Sequence, residues 1–177
     1  MRKRVNLFPD ECAENAYRID YQKYYDIGYK GVIYDIDNTL VMHDAPADER
    51  AVHLFERLRE IGFETCLVSN NEMPRVEDFN RQIGTHVICR AGKPKAEGYR
   101  RAMEAMGTKE ENTLAVGDQL FTDIWGANRC GVRSILVRRI GPKEPGHIYL
   151  KRVLELPLRG IWNLFFRRSA MQLPQDA

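Results

Sequence analysis

Two aspartates, Asp35 and Asp37, close the apolar run Lys30-Gly-Val-Ile-Tyr-Asp-Ile36 and are followed by Asn38-Thr39-Leu40. Alternate side chains of a strand share a face, so both carboxylates emerge together and repel. An apolar strand gains nothing structural from that pairing. Taken alone, a turn or helix cap built from Asp37, Asn38 and Thr39 explains them equally well. Other apolar runs change the balance. One ends at Ser69-Asn70-Asn71, another leads into Gly92-Lys93-Pro94, and a third ends at Gly117-Asp118, with Asp123 five residues further on. Each residue has a plain explanation: a cap for Ser69, a solvated charge for Lys93, a helix-start acid for Asp118 or Asp123. Coincidence at one rim is much harder to accept than each explanation singly.

The chemistry open to such a set is phosphoryl transfer. Clustered carboxylates facing a phosphate need a cation, and an all-oxygen ligand set favours Mg²⁺. One carboxylate then attacks phosphorus in line to give an acyl phosphate. A second carboxylic acid protonates the leaving alkoxide and later activates water.

These residues need a scaffold that brings strand ends together. Strand signals at 30–36, 63–68, 85–89, 112–116 and 133–138 alternate with helical ones at 47–61, 72–83, 95–106 and 121–129, most closed by a glycine. Repeats of that kind predict an α/β fold: a three-layer, Rossmann-like parallel sheet with helices on both faces. Its ligand site lies beyond the carboxyl ends of the strands. Three segments are expected: residues 1–29, rich in tyrosine and packing on the sheet as a helix or cover, a core at 30–140, and a basic amphipathic segment at 141–177.

Composition narrows the function. A chain of 177 residues with 44% apolar and 29% charged side chains reads as a soluble domain. No apolar run approaches the roughly 18–20 residues of a membrane span, and the basic start lacks the apolar stretch of a secretory signal. Cys12, Cys66, Cys89 and Cys130 are widely spaced, which points to reduced thiols and a cytoplasmic location. The four histidines are equally scattered, so no histidine-based metal site is expected. The charge is uneven. Residues 138–168 hold eight Lys/Arg against two Asp/Glu, a net +6, whereas residues 1–137 hold 19 basic and 22 acidic side chains, a net −3.

Asp35-Ile-Asp37-Asn-Thr39-Leu, Ser69, Lys93 and Gly117-Asp118-Gln-Leu-Phe-Thr-Asp123 resemble the four motifs of the haloacid-dehalogenase superfamily, in order, over about residues 30–140. Leu7–Pro9, the Asp-Asn-Thr-Leu form of the first motif, and Thr122-Asp123 followed by Gly126-Ala-Asn128-Arg129 are similar to the YqeG family of subfamily IIIA. That family is related to phosphatidylglycerophosphate phosphatases. The resemblance implies Asp35 as nucleophile and Mg²⁺ ligand, and Asp37 as general acid/base and backbone-carbonyl ligand. It implies Ser69 with Asn70 as phosphate contacts, Lys93 as the charge-offsetting catalytic cation, and Asp118 in the metal shell. Asp123 joins that shell directly, or acts through water or Lys93. Thr39 shapes the loop.

Capped relatives carry an insertion after the first motif or between the second and third. Here 32 residues separate Asp37 from Ser69 and 24 separate Ser69 from Lys93, and the predicted elements fill both gaps. A capless enzyme with an open site follows. Leu158, Ile161, Trp162 and Phe165 fall on one helical face edged by Arg159 and Arg167. Residues 157–168 therefore fit either a peripheral membrane contact or a face packed on the core or on a second subunit. The leading expectation is a Mg²⁺-dependent phosphomonoesterase acting on a phospholipid such as phosphatidylglycerophosphate. The alternatives are a soluble phosphatase for sugar, nucleotide or amino-alcohol phosphates, and a non-catalytic binding protein on the same scaffold. No nucleic-acid partner is expected, because the basic tail belongs to no nucleic-acid module.

Overall fold

The computed structural model describes residues 7–141. Six strands, β1 (Glu11–Ala13), β2 (Gly31–Tyr34), β3 (Glu64–Val68), β4 (His86–Ile88), β5 (Thr113–Gly117) and β6 (Arg133–Val137), form one sheet. Its order is β1-β6-β5-β2-β3-β4 and every pairing is parallel. The helices are α1 (Tyr21–Asp26), α2 (Glu49–Ile61), α3 (Met73–Ile83), α4 (Glu97–Met106) and α5 (Trp125–Cys130).

Alternation along the buried strands divides the core between two faces. Val32 and Tyr34 of β2 join Phe55, Leu58 and Phe79 from α2 and α3. Ile33, between them, joins Tyr99, Ala102 and Met103 from α4. Burying each such apolar side chain contributes about 1.5–3 kcal/mol, and burial on both faces is why these strands read as continuous apolar runs. From β2 the chain first builds β3 and β4 on one side, then crosses to build β5 and β6 on the other. The order therefore reverses between β2 and β5, and a crevice opens there at the strands' carboxyl ends.

Local signals set the helix limits. Asp48 accepts from the Ala51 N–H at 2.9 Å to cap α2, and Gly62 ends it at φ 106°, a left-handed conformation in which a Cβ is strained. Only residues 38–48 lie between Asp37 and α2, while α3 and β4 fill the stretch from Ser69 to Lys93. Neither insertion point holds a cap.

Two elements depart from expectation. The N-terminal cover contains α1, whose Tyr21 and Tyr24 are buried, but residues 11–13 also enter the sheet as its edge strand beside β6. Side chains fasten that edge: Glu11 accepts from Arg133 Nε at 2.7 Å and from the Tyr24 hydroxyl at 2.6 Å, and Asn128 Nδ2 donates to the Phe8 carbonyl at 2.8 Å. The helix expected at 121–129 begins as a π-helical turn, Leu120–Ile124, and becomes α-helical only in α5. No helix among the described residues is long and apolar enough to cross a membrane. The basic segment at 157–168 lies outside the described residues.

Candidate active site

Asp35 is the first residue after β2, and its N–H still donates to the Val116 carbonyl of β5 at 3.1 Å. The chain then folds into a tight loop. The Leu40 N–H donates to the Ile36 carbonyl at 2.9 Å, and the Asn38 N–H to the Val41 carbonyl at 2.7 Å. Asn38 sits at φ 65°, a left-handed conformation that asparagine adopts more readily than most residues. The Tyr17 hydroxyl donates to the Leu40 carbonyl from the N-terminal side, and the Ile140 N–H donates to the Asn38 carbonyl at 3.0 Å from beyond β6.

Lys93 arrives from the loop after β4. Its Nζ donates to Asp35 Oδ1 at 2.5 Å and to Asp123 Oδ1 at 2.8 Å. The three side chains are 4%, 11% and 6% exposed, so the ion pairs are largely shielded from water. The Thr39 hydroxyl lies 3.3 Å from both Asp35 Oδ2 and Asp118 Oδ1, joining the first carboxylate to the residue that follows β5.

Asp123 owes its position to the π-helical turn. Its N–H donates to the Gln119 carbonyl at 3.0 Å, and its Oδ2 accepts from the Gln119 N–H at 3.0 Å. The Tyr99 hydroxyl of α4 donates to its carbonyl at 3.0 Å. Gly117 makes room for it, since a Cβ there would lie 2.3 Å from Asp123 Cβ.

The electrostatics follow from counting charges. Asp35, Asp118 and Asp123 bring carboxylate oxygens within 4.8 Å of one another, against the one ammonium of Lys93. Burial pushes the Asp35 carboxyl up to about 8, reinforced by Asp123 and Asp118 and opposed by Lys93. Burial works against the charge on Lys93, yet Asp123 and Asp35 outweigh it and hold the ammonium well above the ordinary lysine value. A buried set with excess negative charge and only oxygen donors fits a hard divalent cation held by Asp35, Asp118 and Asp123.

Ser69 and Asn70 adjoin this cluster in different ways. Ser69 is buried, and its Oγ accepts from the Asn71 N–H at 3.1 Å, leaving its own O–H to donate. Both ends of the Asn70 amide engage the Lys93 backbone: Oδ1 accepts from the Lys93 N–H at 2.7 Å and Nδ2 donates to the carbonyl at 3.3 Å. That side chain holds the lysine.

Asp37 stands apart from the three-carboxylate cluster. Its Oδ2 accepts from Asn71 Nδ2, and its Oδ1 accepts from Arg75 Nη2 and the Asp44 N–H, each at 3.0 Å. His43 Nδ1 lies 3.9 Å from the same Oδ1. Sequence reasoning did not single out Arg75 or Tyr99. Asn71 precedes α3 and Arg75 lies in its first turn, and their closeness in sequence to Ser69 is the one signal that could have drawn attention to them.

The family model for haloacid dehalogenase-like hydrolases matches residues 42–131. The chain is 41% identical over 132 residues to the probable phosphatase YqeG of Bacillus subtilis, covering 74% of this chain and 77% of that one. It is 25% identical over 179 residues to phosphatidylglycerophosphate phosphatase 1 of Arabidopsis thaliana, covering 92% of this chain but only half of that longer protein. The fold is similar to that of the cobalt-bound deoxy-D-mannose-octulosonate 8-phosphate phosphatase (YrbI) of Haemophilus influenzae, at TM-score 0.53 and 16% identity, over 81% of this chain and 96% of that one. With the motif residues gathered where β2 and β5 end, the family model matching half of the chain and YqeG 41% identical over 74% of it, the protein belongs to the haloacid dehalogenase-like hydrolases, in the same family as YqeG.

Proposed function

We propose that this hydrolase is a Mg²⁺-dependent phosphatase that works through an aspartyl-phosphate intermediate on Asp35. The observation that carries the reading is the buried Asp35–Lys93–Asp123 arrangement beside Asp118 at the switch point between β2 and β5. An Asp35 oxygen attacks phosphorus, the bond from phosphorus to the ester oxygen breaks, and Asp37 gives its proton to the departing alkoxide. Water then attacks the phosphorus of the acyl phosphate and loses its proton to Asp37, releasing inorganic phosphate and free Asp35. Lys93 offsets charge on Asp35 and the phosphate, Ser69 donates to a phosphate oxygen, and Asn70 contributes by fixing the Lys93 backbone. A divalent cation would be held by Asp35, Asp118 and Asp123 and would supply charge neutralisation.

A phospholipid monophosphate such as phosphatidylglycerophosphate is the proposed substrate. Similarity to the Arabidopsis enzyme over 92% of this chain supports it, as does the capless architecture, which leaves the site open to a substrate held in a bilayer. Residues 157–168 would then provide peripheral membrane contact.

The test is hydrolysis with Mg²⁺ of phosphatidylglycerophosphate in mixed micelles against soluble sugar, nucleotide and amino-alcohol phosphates, for wild type and Asp35→Asn. Preference for the lipid and no turnover by Asp35→Asn are expected. Preference for a soluble ester would overturn the lipid assignment, and near wild-type activity of Asp35→Asn would overturn the covalent mechanism.

A further inference from the structure

We propose that Arg75, together with Asn71, is a positioning residue that aims the Asp37 carboxylate for proton transfer; the inference rests on the acid/base role given to Asp37 above. The observation behind it is the way Asp37 is gripped. Asn71 Nδ2 holds Oδ2 and Arg75 Nη2 holds Oδ1, while the same Nη2 donates to the Ala45 carbonyl at 2.8 Å. One nitrogen thus ties the general acid to the loop behind it and to α3, the helix that follows Ser69.

An exposed ion pair of this kind would carry little meaning. Here Arg75 and Asp37 are 16% and 13% exposed, and the guanidinium carbon stands 5.8 Å from the Phe79 ring centroid, so the pair is largely shielded from water. The grip is directional, because donors reach each carboxylate oxygen from a different side. Asp44 contributes both a backbone N–H to Oδ1 and a carboxylate 3.8 Å from Arg75 Nε, and His43 borders the same oxygen. A clip serving only stability could have used any pair of loop residues. This one closes on the carboxylate that must meet the leaving oxygen.

The two roles differ in a measurable way. Help from a general acid grows with the basicity of the oxygen it protonates, so misplacing Asp37 should hurt esters of poorly acidic alcohols most. The experiment is kcat/KM for a series of substituted phenyl phosphates, from 4-nitrophenyl phosphate to esters of the least acidic phenols. This quantity reports steps up to acyl-phosphate formation and is blind to the later hydrolysis. Wild type, Arg75→Met, Arg75→Lys, Asn71→Ala and Asp37→Asn are compared. Arg75→Met keeps the stem over Phe79, and Asn71→Ala gives an independent reading if Arg75→Met does not fold.

Arg75→Met and Asn71→Ala are expected to lose about tenfold or more at the least acidic phenol and less than about threefold at 4-nitrophenol. Arg75→Lys should recover part of that loss, and Arg75→Met added to Asp37→Asn should cost nothing further. A uniform loss along the series would make the grip a stability clip or a substrate contact and overturn the proposal. If Asp37→Asn steepens the series while Arg75→Met and Asn71→Ala do not, only the positioning role fails. If Asp37→Asn itself shows no leaving-group dependence, the acid role of Asp37 fails instead.

Discussion

Lys93 shares its ammonium between Asp35 and Asp123 inside the fold, and this gives it two separable consequences. Removing one partner of a buried ion pair leaves the other charge uncompensated, at a cost of about 3–5 kcal/mol. Lys93→Met should therefore lower unfolding stability by about that amount in urea titrations with EDTA. The loss should be smaller with Mg²⁺, which in the proposed metal-bound state would take over the neutralisation. Asp35→Asn should abolish turnover while costing less than Lys93→Met in the same titrations, because Asp123 still pairs the ammonium. Circular dichroism and steady-state kinetics on the same samples check both expectations. Asp35, Ser69 and Asp118 could be read from the sequence because each follows an apolar run, where a polar residue is conspicuous; Lys93 and Asp123 lie five residues or more beyond their strands and were legible only through the motif spacing. Arg75 could not be read at all, since its significance comes from an oxygen 38 positions away that only the finished fold brings near.

Among the elements, the turn after β5 governs how Asp123 meets Lys93. α5, α4 and the π-helical turn support one another through Tyr99, whose ring would lie 2.5 Å from a Cβ at Gly126 and whose hydroxyl holds the Asp123 carbonyl. Gly126→Ala should overpack this contact, costing about 1–3 kcal/mol in chemical unfolding and displacing Tyr99 from Asp123. Tyr99→Phe should cost only about 1 kcal/mol, the net worth of one hydrogen bond. A Gly126→Ala protein as stable as wild type would show that the ring shifts freely. The extra residue of the π-helical turn was not legible, because 121–129 has ordinary helical periodicity and nothing in it marks wider winding. Nor was β1, three residues with no room to show alternation; its strand character comes from the Ile135–Val137 backbone it borders. The helices and the central strands were legible because apolar period and terminal glycines agree.

For the molecule as a whole, the site is a reservoir of repulsion that protons or a cation relieve. The Asp35 carboxyl, raised from an ordinary value near 3.8 to about 8, stays protonated in the folded protein where the unfolded chain has released that proton. Its contribution to stability is full below the unfolded value and lost as pH rises through about 8. Thermal scans of wild type in EDTA should therefore show a melting temperature that falls from pH 6 to pH 9, with a shallower fall in Asp35→Asn. The stabilisation by added Mg²⁺ should grow over the same range, since the cation competes with the proton for the same oxygens. A Mg²⁺ increment independent of pH would place the ion elsewhere.

The pairing of β1 with β6 bears on the order in which a ribosome can deliver this enzyme. Glu11–Ala13 precedes every other strand but has no strand partner until Ile135–Val137 emerges, more than 120 residues later. The loop carrying Asp35 and Asp37 waits on the same events. One of its braces, Tyr17, lies in the segment before β2, and the other, Ile140, follows β6. Contacts this distant in sequence form slowly. A nascent chain can thus assemble β2, β3 and their helices while its sheet edge stays open to mispairing. Catalytic competence would arrive only once β6 closes the sheet and Ile140 clamps the loop.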